Sequence, residues 1–262
     1  MDLNLSGKHA LVCGSSQGIG RACAIELAKM GANVTLFARN QEKLELVLQE
    51  LDTSQGQQHH ILTADFSEPS QVKTAIEQHV ADIGAIEILI NNTGGPAPGP
   101  ASIASAEDYL SALNLHLISN QVLVQALLPA MKTTGFGRII NVISTSVKQP
   151  IPGLGVSNTV RGAVASWSKT LANELGQFGI TVNNVLPGAT HTGRLDAIIA
   201  NKAAKFDKSI EQVTEDEKSS IPARRFGKAE ELAAAVAFLA SPAAAYINGV
   251  SLPVDGGRTA CL

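Results

Sequence analysis

Aromatic side chains are scarce in this chain: seven Phe, two Tyr and one Trp make up 4% of its residues. A surface that stacks nucleobases combines aromatic planes with positive charge. With a net charge of −3 and 16% charged residues, the sequence supplies neither, which argues against a nucleic-acid partner or a membrane surface. Cysteine is also sparse. Cys13, Cys23 and Cys261 are odd in number and lack metal-ligand spacing, so they read as small buried hydrophobes in a reducing compartment, and no metal site is expected. Long hydrophobic runs are missing too. The stretch from Leu232 to Ala240 is too short to span a bilayer and reads as a core helix, and Met1 to Leu5 lacks the basic and apolar regions of a signal peptide. These absences predict a soluble, cytoplasmic protein. They also leave Tyr109 and Tyr246 as the only phenols available for chemistry.

What the chain does have is apolar residues, 45% of its 262, enough for a large core and incompatible with intrinsic disorder. Short apolar runs at 10–12, 34–38, 60–64, 86–90, 138–143, 180–186 and 250–254 read as strands. Between them lie helical patterns: Ile19 to Met30 stopping at Gly31, Gln41 to Leu51, a start at Pro69, Glu107 to Met131, and one with Val156, Val160, Val164, Trp167, Leu171 and Leu175 at steps of three and four. Strands alternating with helices predict a parallel sheet covered on both faces. No linker or internal repeat interrupts the series, so one domain is expected over residues 1–262. The more polar segment from Thr190 to Ile221 falls outside the alternation and reads as a lid over a site; a plain surface helix pair is the alternative.

After the first strand, Gly14-Ser15-Ser16-Gln17-Gly18-Ile19-Gly20 runs directly into a helix. Glycines let the backbone turn sharply and bring its N–H groups to a pyrophosphate, which a helix N-terminus attracts. A tight turn alone needs one glycine rather than three.

With this loop the sequence resembles the short-chain dehydrogenase/reductase family along essentially its whole length. The family's T-G-x-x-x-G-I-G appears with Cys13 in place of the threonine, and its N-N-A-G as Asn91-Asn92-Thr93-Gly94. Val182 to Gly188 followed by Thr192 looks like V-N-x-x-x-P-G-x-x-x-T, and Ile221 to Gly227 with Tyr246 to Gly257 resembles the carboxy-terminal signature. The texture is nearest to members described as 3-oxoacyl-carrier-protein reductase-like. The resemblance implies a single-domain α/β Rossmann fold, a doubly wound parallel seven-stranded sheet with helices on both faces. It also implies a homotetramer or homodimer that pairs the helices carrying Asn114 and Arg161.

An acid at the end of the second strand would select NAD by accepting from the ribose. That strand ends Phe37-Ala38-Arg39-Asn40, so the acid is absent and a guanidinium stands beside its place. Ser15 and Arg39 therefore imply NADP(H), bound through its 2′-phosphate; a solvated arginine is the bland alternative. By resemblance Asp65 lies at the adenine, Asn92, Thr93 and Gly94 back the adenosine, Thr190 and Thr192 reach the nicotinamide carboxamide, and Phe66, Pro187 and Gly188 complete the cofactor-binding set. Asn91 and Asn92 can instead be read as closing a turn.

The family's catalytic set is Asn, Ser, Tyr and Lys, the last two spaced Tyr-x-x-x-Lys on one helix so that the lysine depresses the phenol's pKa and holds the nicotinamide ribose. Asn114 matches the asparagine and Ser144 the serine. The helix that should carry the other two reads Ser157-Asn158-Thr159-Val160-Arg161, aligned by Ala163-Val164 and by the thirteen-residue step from Ser144. Serine stands for the tyrosine and arginine for the lysine. Arg161 can hold ribose hydroxyls but relays no proton, and Ser157 is a weak acid too short to reach the phenol's position without a bridging water. Neither Tyr109 nor Tyr246 rescues this easily, the latter reading as a packing residue. Lys148 and His116 are nearby ionisable groups that read first as surface or helix residues; of the two, Lys148, in the loop after Ser144, is the better substitute acid.

Three readings stay open: an NADP-dependent oxidoreductase of a small carbonyl or secondary alcohol with an altered proton centre, a nucleotide-binding relative serving as sensor or subunit, and a non-redox enzyme reusing the fold. The loop Pro96 to Pro100 and the 190–221 segment are expected to border the substrate pocket.

Overall fold

A computed structural model describes residues 1–261; Leu262, the end of the expected domain, lies outside them. The apolar runs become strands in the order in which they occur: β1 (His9–Cys13), β2 (Asn33–Ala38), β3 (His60–Thr63), β4 (Ile88–Asn91), β5 (Gly137–Val142), β6 (Ile180–Pro187) and β7 (Ser251–Val254). They pair in parallel in one sheet of order β3-β2-β1-β4-β5-β6-β7. Parallel neighbours need long crossovers, and helices supply them. These are α1 (Gly18–Lys29), α2 (Gln41–Leu48), α3 (Pro69–Ile83), α4 (Ala106–Leu113), α5 (Ser119–Thr134), α6 (Gly155–Leu175), α7 (Gly193–Phe206), α8 (Ile210–Ser219) and α9 (Ala229–Ala240).

Helices cover both faces, so the inner strands β1, β4 and β5 are buried at every residue and show no polar alternation. One core cluster sits under α1, α2 and α9, with Leu27, Leu44 and Val236 packed on Val12, Ile90 and Val185. The other lies under α3, α5 and α6, where Ile76, Leu127 and Leu175 meet Leu11, Leu89 and Ile139. The expected single-domain α/β fold, with seven parallel strands and helices on both faces, is the one found. Strand order reverses beside β1, which has β2 on one side and β4 on the other. At such a point the loops after the strands diverge and leave a crevice at their carboxyl ends.

Three local expectations change. The helix expected from Glu107 to Met131 is interrupted: Asn114–Ile118 form a π-turn between α4 and α5, with Ser119 N donating to Asn114 O. Tyr246, expected to pack, is fully exposed, since its place in the turn before β7 gives its ring nothing to lie against in this chain. Cys261 is exposed as well, unlike the buried Cys13 and Cys23. The 190–221 segment is the helix pair α7 and α8, with a small apolar patch of its own from Leu195, Ile199, Ala203 and Val213. No helix among the described residues is long and apolar enough to cross a membrane.

Candidate active site

A cleft of about 710 Å³ opens at the carboxyl ends of β4, β5 and β6. Its floor comes from the residues at or just past the end of each strand: Asn92 and Thr93, Ile143 and Ser144, and Pro187 to Thr190. The loop Pro98 to Pro100 and helix α7 form its walls. Gly99 bridges to Leu154, with Gly99 N donating to Gly153 O at 2.7 Å, which ties that loop to the start of α6. The base of the α7–α8 pair is tied by a bridge between Thr190 and Gly227, His191 N donating to Gly227 O at 2.8 Å.

The glycine loop is built for backbone contact. A Cβ on Gly14 would lie 2.5 Å from Asn92 O, and one on Gly20 would strike the Gly14 carbonyl oxygen, so the turn closes only with glycine at both places. Asn92 Nδ2 reaches Cys13 O at 3.3 Å and Gly14 O at 3.4 Å and holds the loop against the end of β4. Asn92 thus serves the loop directly. Ser15 is the exception among the loop residues. The residue is fully buried and its Oγ accepts from Phe37 N at 2.9 Å, so the hydroxyl ties the end of β1 to β2 and does not face a phosphate. Ser16, Gln17, Gly18 and Ile19 remain half-buried or exposed at the mouth, and Thr192 Cγ2 lies 3.4 Å from where a Cβ on Gly18 would be.

Beyond β2, the Arg39 side chain is 75% exposed and meets Asp65 Oδ2 at 3.4 Å. Asp65 is held ionised chiefly by the Ser67 N–H, which lowers its pKa. A surface pair of this kind contributes about 0–1 kcal/mol, so Arg39 is free to turn to a phosphate. Phe66 presents no ring there, because it is buried against Phe37 at a centroid distance of 4.7 Å. Gly94 is exposed just past β4. Asn91 closes no turn. It sits in register with Asn141, Asn184 and Ser251, and their side chains bond in series across four strands: Asn91 to Asn141 at 2.9 Å, Asn141 to Asn184 at 3.1 Å, and Asn184 to Ser251 at 3.1 Å.

Ser144, Ser157 and Arg161 come together on the cleft; Asn114 does not line it and lies half-buried at the start of the π-turn. Ser144 Oγ accepts from Ser146 N at 3.0 Å, which leaves the hydroxyl proton free to donate outward. Ser157 and Arg161 are one turn apart on α6 and both buried. Arg161 Nη1 donates to Val142 O at 3.2 Å, whereas its Nε is buried and has no partner among the described residues. Burial and, after it, Arg194 bring the Arg161 pKa down to about 10, so the guanidinium stays charged at neutral pH. Neither tyrosine lines the cleft: Tyr109 packs beside Val156 and Val160 on α6. Lys148 is exposed and also lies outside the lining.

Two features of the site escape the sequence reading: the buried contact of His116, which the sequence suggests only as a substitute acid, and the place of Arg194. His116 is buried, and its Nδ1 is 2.6 Å from Oγ1 of Thr93, a floor residue that stands where the family has alanine. Burial first, then Arg161 and Arg194, push its pKa down to about 2, so it is a neutral imidazole. Arg194, near the start of α7, enters the cleft and donates to Gly95 O at 2.9 Å. The threonine in Asn91-Asn92-Thr93-Gly94 is the one signal that hints at the first. Nothing in the sequence marks the second.

The family model described as enoyl-(acyl carrier protein) reductase matches residues 14–259. The NADPH-dependent reductase BacG of Bacillus subtilis is 31% identical over 97% of this chain and 98% of its own. The 3-oxoacyl-(acyl-carrier-protein) reductase FabG of Haemophilus influenzae is 35% identical over 97% and 98%. The crystal structure of L-sorbose reductase from Gluconobacter frateurii complexed with NADPH and L-sorbose superposes with a TM-score of 0.93 at 30% identity, covering 100% of both chains. The chain belongs to the short-chain dehydrogenase/reductase family.

Proposed function

We propose that this protein is an NADP(H)-dependent oxidoreductase of a small carbonyl compound or secondary alcohol, and that it manages the reaction's proton without a phenol. The observation that carries the reading is the meeting of Ser144, Ser157 and Arg161 on one cleft beside a loop that admits no side chain at Gly14 or Gly20. The names of the relatives point the same way. The loop from Gly14 to Gly20, with Thr192 over it, fits a pyrophosphate, and the exposed Arg39 fits a 2′-phosphate. Bound there, NADP(H) supplies or takes up the hydride.

This chain's own groups do the rest. Ser144, with Oγ oriented by Ser146 N, donates a hydrogen bond to the substrate oxygen, keeps its own proton and holds charge that develops there. Arg161 fixes positive charge beneath that position, and its unpartnered Nε is available to a ribose hydroxyl. Ser157 passes a proton between the substrate oxygen and water, since its short side chain does not span the distance alone. Asn114 is a positioning residue at the π-turn, α7 and α8 form a lid, and the location is cytoplasmic, with the helices carrying Asn114 and Arg161 pairing in a homodimer or homotetramer.

Titration with NADPH and NADH, followed by cofactor fluorescence, tests the nucleotide. NADPH is expected to bind at least about tenfold tighter, because Arg39 pairs with a phosphate that NADH lacks; equal affinities would remove the role given to Arg39. Absorbance of the nicotinamide, scanned over a carbonyl and alcohol panel, tests the chemistry. The Arg161 guanidinium, buried where the family has lysine, is the one observation that favours a non-catalytic NADP-binding relative. Tight NADPH binding with no turnover across the panel would establish that reading instead.

A further inference from the structure

The cleft holds more positive charge than the proposed hydride transfer uses, since that reading employs Arg161 alone. Its charged lining consists of Arg161, Arg194, Lys202, Lys205 and Arg258 against one carboxylate, Glu217. That carboxylate is occupied: Lys202 Nζ pairs with one oxygen and Arg258 Nη2 lies 3.7 Å from the other. Arg161 and Arg194 have no acidic partner among the described residues. Both are held instead by backbone carbonyls, Arg161 by Val142 O at 3.2 Å and Arg194 by Gly95 O at 2.9 Å and Pro96 O at 3.5 Å.

These bonds fix the two guanidiniums and leave donors free. A guanidinium has five N–H groups, and Arg194 uses its two terminal nitrogens on the Gly95–Pro96 loop. The Arg161 side chain is more than nine-tenths buried, and its Nε finds no partner. Arg194 lies flat on the loop backbone, since a Cβ on Gly95 would come within 2.8 Å of its Cζ. Each guanidinium is therefore preorganised in a partly enclosed cleft. Like charges so placed repel, and an entering anion relieves both. The N-terminal amides of α7, where Arg194 sits, add partial charge of the same sign. Burial first, and Arg194 after it, lower the pKa values of both Arg161 and His116.

We propose that the substrate is a small oxo or hydroxy acid, and that Arg194 receives its carboxylate while its reacting carbon lies at Ser144 and Ser157. The proposal rests on the redox reading of the cleft. The cofactor's phosphates are the other source of negative charge. The glycine loop that suits them lies against Asn92 and Thr192, whereas Arg194 turns away to Gly95 and Pro96.

The test compares small 2-oxo and 3-oxo acids, each with its neutral amide, on NADPH-saturated protein at matched ionic strength. Binding is read as a saturable rise in melting temperature. The acids are expected to bind at least about tenfold tighter than the amides. Arg194→Gln should abolish the preference, Arg194→Lys should keep part of it, and the Kd for NADPH should stay unchanged in both. Equal binding of acids and amides by wild-type protein overturns the proposal. So does an Arg194→Gln variant whose NADPH affinity falls by the factor lost for the acids, because that places Arg194 on the cofactor. A wild-type protein that ignores NADPH defeats the redox reading alone; the acid–amide comparison on the unloaded protein then still decides the anion subsite.

Discussion

At the scale of single residues, the site turns on what the ends of two side chains can do. Ser157 and Arg161 occupy neighbouring turns of one buried face of α6, yet an alcohol is a far weaker acid than a phenol and a guanidinium keeps its proton. A Ser157→Tyr, Arg161→Lys double variant is expected to reduce simple ketones with NADPH at least about tenfold faster than the wild type, a general acid contributing about 10²-fold or more. A double variant that binds NADPH but shows no gain would mean that the cleft lacks more than its phenol. The neighbouring Thr93–His116 bond supplies a stability prediction. Thr93→Val leaves the buried Nδ1 without a partner beside an Nε2 that already lacks one, so urea unfolding should show a loss of about 1–3 kcal/mol. An unchanged midpoint would show that the imidazole finds another partner.

At the scale of elements, the turn from β1 into α1 leaves no room for a side chain at two of its glycines, Gly14 and Gly20. Gly20→Ala drives a Cβ into the carbonyl of Gly14, a backbone atom that cannot step aside without opening the loop. About 1–3 kcal/mol of stability should be lost, and fluorescence titration should show NADPH binding weakened far more than the fold. The helix pair α7–α8 behaves differently. Its own patch is four buried side chains, and α8 depends on a capping box in which Ser209 Oγ accepts from Gln212 N at 3.2 Å. Ser209→Ala should remove about 1 kcal/mol from α8 alone, seen as faster amide exchange in residues 210–219 while the sheet amides keep their protection. A pair that opens locally is suited to admit a substrate under it.

Across the whole molecule, four of the six histidines, His9, His59, His60 and His79, gather near the amino ends of β1 and β3, opposite the carboxyl ends where the cleft opens. His9 stacks on His60 at 5.8 Å, and Thr35 Oγ1 lies 2.8 Å from both His9 Nε2 and His79 Nε2. Burial, then the neighbouring histidines, lower the His9 pKa from 6.5 to about 4. A depressed folded-state pKa gives stability that is complete above the unfolded value of 6.5 and disappears as pH falls towards 4, because only the unfolded chain takes up the proton in that window. The loss from His9 is about 3 kcal/mol, and His116, depressed to about 2, extends the decline to lower pH. The melting temperature should therefore fall between pH 6.5 and 4, and His9→Gln should flatten that slope. A profile identical to that of the wild type would exclude His9 as its source.

The order of strands and helices and the glycine loop were legible in the sequence, because each depends on local periodicity or on residues a few positions apart; the alignment of Ser144, Ser157 and Arg161 came from the resemblance to the family. The tertiary structure alone decided what depends on distant residues. It buried Ser15 under Phe37, drew Asn91, Asn141, Asn184 and Ser251 into one ladder across four strands, set His116 on Thr93, and laid Arg194 on Gly95. Ninety-nine residues separate Arg194 from Gly95. No spacing rule spans that interval; only the crossing of α7 over the loop after β4 brings the charge to the cleft.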